Sequence, residues 1–95
     1  LAGLGTVGAG VIRLLDTNAA IVSARAGRPI EIVTVSARSR DRDRGVDIGR
    51  YEWVDDMTAL AERPDVDVVV ELVGGADGPA LALARRAIAA RKGFV

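Results

Sequence analysis

Apolar side chains recur along the first part of the chain at the spacing of one helix face. Over residues 6–26 they fall roughly every three or four positions, at Val7, Val11, Leu14, Leu15, Ile21 and Val22. Because residues three and four apart share a face, this pattern predicts one long helix. Gly27 can adopt the left-handed conformation that ends a helix, and Pro29 prevents continuation.

Runs of β-branched residues predict the strands. Residues 30–35 and residues 65–73 are rich in valine and isoleucine, a composition typical of parallel strands covered on both faces. Residues 51–54 predict a short strand between them, and Phe94 and Val95 predict the beginning of another.

Two further helices complete the pattern. A short helix is predicted after the third strand, with Asp55 or Asp56 as its N-cap. The last helix is predicted to begin at Pro79, because proline suits a first helical turn, with Asp77 or Gly78 as the cap. Residues 36–50 contain almost no apolar anchors and are interpreted as an exposed loop.

A glycine-rich hexad precedes the first predicted helix and has the pattern G-x-G-x-x-G. In such a turn the first glycine permits a sharp change of direction, the second leaves room for a pyrophosphate, and the third brings the helix close to a strand. The N–H groups at the helix start attract phosphate. We interpret the hexad as a dinucleotide-binding turn formed by Gly3, Leu4, Gly5, Thr6, Val7 and Gly8. The Thr6 hydroxyl is either a phosphate donor or the helix N-cap.

The alternation of strands and helices behind this hexad predicts an α/β fold, a Rossmann-type doubly wound parallel sheet. The length of the chain, 95 residues, suits one domain. Only Leu1 and Ala2 precede the first glycine, and the last strand has barely begun at Val95. We therefore expect residues 1–95 to be a partial NAD(P)-binding domain, truncated at both ends.

Composition narrows the classes of function. Thirteen acidic and thirteen basic side chains cancel, so no net charge gathers nucleic acid or holds the chain on an anionic membrane. The chain has no cysteine and no histidine, and we identify no candidate catalytic or metal-ligating residue. No segment resembles a membrane span or a signal peptide, so we expect a cytoplasmic protein.

The end of the second predicted strand bears on the choice of cofactor. It reads Ser36, Ala37, Arg38, Ser39, Arg40, without an acid. A carboxylate at this place commonly holds the ribose hydroxyls of NAD, whereas a guanidinium accommodates the 2′-phosphate of NADP. We therefore expect NADP to be preferred and NAD to remain possible. Arg38 is the expected donor, with Ser36 or Ser39 as a secondary one.

Other conspicuous side chains have structural explanations. Arg42 and Arg44 alternate with aspartates and are expected to form ion pairs on a solvated loop. Trp53 and Tyr51 are expected to cover the edge of the sheet rather than to stack on a base. At the end of the strand over residues 65–73, Glu71 is expected to be solvated or bound by nearby amides more than to contact a ligand.

Several segments, taken in order, resemble the cofactor-binding domain of homoserine dehydrogenases. Many dehydrogenases share the hexad. The others are Arg-Ala-Gly-Arg-Pro-Ile at residues 25–30, Arg-Gly-Val-Asp at residues 44–47, and Asp-Val-Asp-Val-Val-Val-Glu-Leu-Val-Gly-Gly at residues 65–75. The Ala-Gly-Arg-Pro segment and the Val-Glu-Leu-Val-Gly-Gly strand end, at this separation, are the more specific ones. The resemblance spans nearly all 95 residues. It implies that the hexad contacts the cofactor together with Ala37, Arg38, Val73, Gly74 and Gly75.

The resemblance further implies a parent enzyme that reversibly reduces aspartate semialdehyde to homoserine, on the route to threonine and methionine. Its substrate-binding and catalytic parts, and the contacts of an expected homo-oligomer, would lie outside residues 1–95, so these residues alone are expected to bind NADP weakly without catalysis. Two alternatives stay open. One is a non-catalytic module that senses a dinucleotide, and the other is a dehydrogenase of another aldehyde or amino acid.

Overall fold

The computed structural model describes residues 1–74 and 78–95. The described residues form three α-helices, one 3-10 helix and four short strands. In chain order the elements are α1 (Thr6–Thr17), α2 (Ala19–Ala26), β1 (Thr34–Val35), β2 (Glu52–Trp53), the 3-10 helix (Met57–Glu62), β3 (Val68–Val69), α3 (Pro79–Ala89) and β4 (Gly93–Phe94). Gly75 and Asp77, which enter the predictions above, lie outside the described residues.

The strands pair in parallel, β1 with β2 and β3 with β4. Ala2 joins the two pairs, since it bridges Ser36 on one side and Glu71 on the other. The Gly3 N–H donates to the Ser36 carbonyl, and the Leu72 N–H donates to the Ala2 carbonyl, both at 2.8 Å. The order across the sheet is therefore β2, β1, the segment around Ala2, β3, β4. This arrangement confirms the predicted mixed α/β architecture with parallel strands.

Two apolar clusters cover the two faces of this sheet. The consecutive residues Leu1 and Ala2 contribute to different clusters, as expected where neighbouring side chains point to opposite faces. The cluster beneath α3 and the 3-10 helix contains Ala2, Leu60, Ala61, Val69, Leu83 and Ala87. The cluster beneath α1 contains Leu4, Ile12 and Val35. Helices therefore pack on both faces of the sheet.

The prediction of a single helix over residues 6–26 is wrong. The helix breaks at Asn18, and α1 and α2 are bent by 87°. The Asn18 backbone N–H and side-chain Nδ2 both donate to the Leu14 carbonyl, at 2.9 and 3.1 Å. The backbone leaves the helical region at Asn18, where φ is −116° and ψ is 24°. Among the described helices none alone is long and apolar enough to cross a membrane, although the bent pair together reaches that length and composition.

The predicted helix ends are largely confirmed. Gly27 ends α2 with a φ of 80°, and Pro79 stands in the first turn of α3 with Gly78 as the N-cap. Asp56 caps the 3-10 helix by accepting from the Thr58 N–H at 3.0 Å, and its bonds from the Thr58 hydroxyl and N–H lower the pKa of Asp56. Asp55 instead accepts from the Trp53 indole at 2.8 Å.

The strands are shorter than predicted. The runs over residues 30–35 and 65–73 form regular strand only at Thr34–Val35 and Val68–Val69, with isolated bridges at Ser36 and Glu71. β-branched composition marks where a strand lies, but only a paired neighbour extends its hydrogen bonding. The short strands near residues 51–54 and 94–95 are confirmed as β2 and β4.

In a chain whose first residue is Leu1, the amino group of that residue is enclosed within the sheet, and its titration makes the stability depend on pH. It donates to the Thr34 carbonyl at 2.8 Å, and burial lowers its pKa from 8.0 to about 6. Between these values the unfolded chain binds a proton that the folded chain does not, so stability falls as the pH falls. In a preparation beginning at Leu1 we expect the free energy of unfolding to drop by about 2 kcal/mol between about pH 8.5 and pH 5.5. Urea unfolding at the two pH values measures it.

Acetylation of the amino group provides the control. The acetylated nitrogen keeps an N–H for the Thr34 carbonyl but cannot take up a proton. The chain has no histidine to titrate in the same range. An equal loss of stability in the acetylated chain would show that another group is responsible.

Candidate dinucleotide-binding site

Two glycines of the hexad are required by the fold. Gly3 has a φ of +97°, and a Cβ there would lie 2.9 Å from the Leu72 carbonyl carbon and 3.0 Å from the Val73 nitrogen. A Cβ on Gly8 would lie 2.1 Å from the Gly3 carbonyl oxygen. The positive φ of Gly3 confirms the predicted sharp turn, and the predicted close approach allowed by Gly8 is made to the Gly3 carbonyl at the start of the turn rather than to the middle of a strand.

Gly5 differs from both because no internal contact requires it. Its backbone conformation, φ −74° and ψ −157°, is open to any residue, and the described part of the chain places no atom within 4 Å of where its Cβ would be. The absence of a side chain leaves open space in front of the start of α1. A ligand in that space would explain a glycine that the protein's own packing does not.

The start of α1 presents backbone donors to this space. Gly5 is the N-cap, no side chain caps the helix, and its first turn carries no acidic residue. Ala9 donates to the Gly5 carbonyl at 2.9 Å, whereas the N–H groups of Thr6, Val7 and Gly8 have no acceptor within residues 1–74 and 78–95. Unpaired N–H groups at the positive end of a helix bind anions. The residues present therefore fit a pyrophosphate.

Thr6 does not cap the helix. It is the first helical residue rather than the N-cap, and its exposed hydroxyl makes no capping bond. The interpretation of Thr6 as the N-cap is therefore wrong, and its hydroxyl faces solvent beside the first-turn N–H groups. Val7 is also exposed there, by 63%.

The structure brings the three predicted cofactor-binding segments to one edge of the sheet. The Gly3 N–H binds the Ser36 carbonyl, which places Ala37 and Arg38 just beyond it. On the other side, Gly3 lies against the backbone of Leu72 and Val73. Val73 is 48% exposed, and Gly74 beside it is exposed with a φ of +87°. The carboxyl ends of parallel strands are where open α/β sheets bind ligands. Gly75, the last of the predicted contacts, is outside the described residues.

Glu71 has the structural role that its sequence position suggested. Its carboxylate Oε1 accepts from the Gly74 N–H at 2.7 Å, which confirms that a nearby amide binds it. This bond holds the turn that follows β3 in its position beside Gly3. The side chain is therefore engaged in shaping the site's border.

The side chains that follow β1 differ in accessibility. Ser36 is 2% exposed, so its hydroxyl is poorly placed to reach a phosphate in solvent. Ala37 packs partly buried against the cluster beneath α1, whereas Arg38 and Ser39 are exposed. Arg38 makes no hydrogen bond or ion pair to any described residue. Its guanidinium remains available to a ligand.

The expectation that Arg42 and Arg44 form ion pairs is wrong. In the portion of the chain that is described, the ion pairs are Arg50–Asp16, Arg63–Asp65 and Arg86–Glu62. Arg44 donates instead to main-chain carbonyls of its own loop and lies over the Trp53 ring. No periodic signal marks such a contact, because it joins a loop to a strand.

The two aromatic residues of β2 and its approach behave as predicted. Tyr51 and Trp53 are partly buried and pack against the cluster beneath α1, at the outer strand β2. Burial raises the pKa of the Tyr51 hydroxyl. Their covering role at the sheet edge is confirmed.

The glycine turn lies on an open surface. Two cavities, of about 920 and 660 Å³, are lined by other residues and do not include the hexad. An extended dinucleotide lies across strand ends in a shallow crevice and does not require an enclosed cavity. The site is an edge of exposed donors rather than an enclosed pocket.

A tight glycine turn, an uncapped helix start and strand ends at one edge of a parallel sheet together define a dinucleotide-binding α/β domain. Comparison with known protein families identifies the family to which this domain belongs. Residues 3–93 match the family described as homoserine dehydrogenase, NAD binding domain, and the chain belongs to that family.

Individual relatives agree with this assignment. The chain is 43% identical over 75 residues to a homoserine dehydrogenase of Methylobacillus glycogenes, which covers 79% of this chain and 18% of the relative. It is 38% identical over 95 residues to one of Helicobacter pylori, which covers 100% of this chain and 22% of the relative. The chain thus spans about a fifth of the length of these relatives.

Solved structures show the same fold. A homoserine dehydrogenase from Thiobacillus denitrificans matches 98% of this chain with a TM-score of 0.86 and 36% identity, over 21% of that structure. One from S. aureus at pH 7.5 matches 98% with a TM-score of 0.85 and 27% identity, over 24% of that structure. The match in fold therefore extends over nearly the whole chain.

Proposed function

We propose that this chain is the cofactor-binding part of a homoserine dehydrogenase, with a Rossmann-type doubly wound sheet that holds NAD(P). One observation carries this proposal. Gly5 leaves open space in front of three first-turn N–H groups that have no acceptor in the described structure. A pyrophosphate is an anion of suitable charge for that space.

Each segment at the edge of the sheet has a role in this proposal. The N–H groups of Thr6, Val7 and Gly8 hold the pyrophosphate, and the Thr6 hydroxyl adds a donor. Gly3 and Gly8 keep the helix start close to the turn, which fixes the direction of those donors. The Val73–Gly74 turn, held by Glu71, borders the site on the far side.

Bound NAD(P) supplies or accepts the hydride by which a homoserine dehydrogenase interconverts aspartate semialdehyde and homoserine. This chain corresponds to about a fifth of its relatives' length. The activity is therefore proposed for a longer protein that contains this domain. The 95-residue chain is expected to bind nucleotide without turnover, because hydride transfer needs a second surface to place the substrate.

The exposed guanidinium of Arg38 supports a preference for NADP. It lies one residue beyond the partly buried Ala37 and two beyond Ser36, whose carbonyl binds Gly3. No acidic residue stands between Ser36 and Asp41 to repel a 2′-phosphate. An arginine can bind phosphate through two parallel hydrogen bonds, which suits the Arg38 side chain to the 2′-phosphate of NADP.

Reversal of this charge is expected to change the choice of nucleotide. In the Arg38→Asp variant we expect NADPH affinity to fall by about tenfold, with NADH affinity unchanged or slightly raised, because only NADPH carries the 2′-phosphate. Calorimetric titration of the 95-residue chain with both nucleotides at matched salt measures this.

The matched control is Arg28→Asp. Arg28 is also exposed, but it lines the cavity beside Leu1, at the end of the strands opposite the glycine turn. This variant has the same change of net charge and is expected to keep the nucleotide preference. Equal affinity of the unmodified chain for NADPH and NADH, or undiminished NADPH binding by Arg38→Asp, would contradict the preference for NADP.

A further inference from the structure

The Arg44 side chain donates hydrogen bonds to two main-chain carbonyls of the loop that follows β1 and so holds this loop. Its Nη1 donates to the Arg42 carbonyl at 3.0 Å, and its Nη2 donates to the Ser39 carbonyl. One side chain thus spans residues 39–42, the segment that directly follows Arg38. A planar guanidinium presents several donors in fixed directions and can bind two carbonyls at once, which an ammonium group does less specifically.

The same guanidinium is attached to the sheet through Trp53. Its central carbon lies 5.8 Å from the centre of the indole ring, within the range of a cation–π contact. The Arg44 Nε is buried, with no hydrogen-bond partner in the described structure, so this part of the partly buried side chain is shielded from solvent. Trp53 is in turn held by the Asp55 carboxylate at 2.8 Å and packs against the cluster that contains Val35.

We infer that Arg44 is a positioning residue for cofactor selection: it holds residues 39–42 against Trp53 so that Arg38 presents its guanidinium to the 2′-phosphate of NADP. This inference rests on the function proposed above. Arg38 has no partner of its own in the described residues, so the loop determines where it points. A loop ordered before binding loses less conformational entropy when the phosphate binds.

The loop-holding role can be tested without nucleotide. Arg44→Lys keeps the charge but not the planar fork, so we expect trypsin to cleave after Arg38, Arg40 and Arg42 about tenfold faster, as local opening becomes easier. Trp53 is the only tryptophan, and its fluorescence should become more accessible to acrylamide. The control is Arg42→Lys, whose side chain is exposed and makes no polar contact with the described residues. Unchanged cleavage and quenching in Arg44→Lys would overturn the inference.

Nucleotide binding then tests the effect on selection. We expect Arg44→Lys to lower NADPH affinity by about tenfold and to leave NADH affinity unchanged. In an Arg38→Ala background the same change should have no further effect, because Arg44 acts through Arg38. Equal weakening of both nucleotides would indicate a merely structural role. Additive losses would indicate that Arg44 contacts the phosphate itself. Either result overturns the inference.

The proposed function and this inference fail in different ways. A chain that binds neither nucleotide contradicts the proposed function, and the positioning role falls with it. A chain that binds both equally retains dinucleotide binding but loses the NADP preference and the role of Arg44. A chain that prefers NADPH, with the same preference in Arg44→Lys, contradicts the role of Arg44 alone.

Discussion

Replacement of Gly8 by alanine is expected to lower the free energy of unfolding by at least about 3 kcal/mol, enough to unfold a domain of ordinary stability in part. The added Cβ would lie 2.1 Å from the Gly3 carbonyl oxygen, a main-chain atom that no side-chain rotation can move aside. Relief would require α1 to shift away from the turn, which would disturb the packing of Ile12 in the cluster beneath it. Urea unfolding followed by far-ultraviolet circular dichroism measures the loss.

Gly10 provides a control two residues further along the same helix. A Cβ there meets no described atom within 4 Å, and alanine is the better helix former. Gly10→Ala is therefore expected to raise stability, by up to about 1 kcal/mol. A Gly8→Ala variant with nearly unchanged stability would show that α1 tolerates displacement and would contradict the close packing described here.

The Gly5→Ala variant is expected to lose about a hundredfold in dinucleotide affinity while it remains folded. Its Cβ would enter the open space in front of α1, where the pyrophosphate is proposed to lie, and a methyl group forced into an occupied contact costs up to about 3 kcal/mol. The backbone at Gly5 suits alanine, so stability should change by no more than about 1 kcal/mol, the cost of a poorer N-cap. Calorimetric titration with NADPH and NADH measures the affinity.

Gly10→Ala again serves as the comparison, because it adds the same methyl group to α1 away from the helix start and is expected to bind both nucleotides normally. Retention of full affinity in Gly5→Ala would mean that the space in front of α1 is not where the cofactor binds. A loss of affinity accompanied by unfolding would instead assign Gly5 a structural role. The two outcomes are separated by the denaturation curve.

Taken together, the two substitutions separate functions that the motif combines. Gly8 is required by a contact inside the protein, whereas no contact among the described residues requires glycine at position 5. A sequence pattern records both as glycine. This distinction matters when a glycine motif is used to predict anion binding. A turn that has the same shape but lacks the open space in front of the helix would keep its fold and lose its anion site.

Local chemistry allowed much of this molecule to be predicted. The parallel α/β architecture, the helix end at Gly27, the first turn at Pro79 and the amide-bound Glu71 all follow from short-range signals. The hexad indicated a dinucleotide domain because its neighbours had strand and helix periodicity, and family membership agrees. Those signals operate within a few residues and need no knowledge of the packing.

The predictions that proved wrong concern segments whose structure depends on contacts that the local sequence pattern does not show. The helix predicted over residues 6–26 breaks at Asn18, whose φ of −116° and ψ of 24° leave the helical region, and apolar spacing does not reveal such a break. Arg44 was expected to pair with an aspartate in its loop, but Trp53, nine residues later, offers it an aromatic face. Charge alternation describes a loop's composition and not its fold.

The amino-acid sequence by itself determined the alternation of helices and strands, the glycine turn and the class of ligand that the turn indicates, because propensity, periodicity and turn chemistry are properties of neighbouring residues. Only the tertiary structure decided which glycines face the protein and which face open space, that residues 36–38 and Val73–Gly74 meet beside Gly3, and that Arg44 spans its own loop. These depend on hydrogen bonds and packing between segments far apart in the chain, and no local pattern encodes those distances.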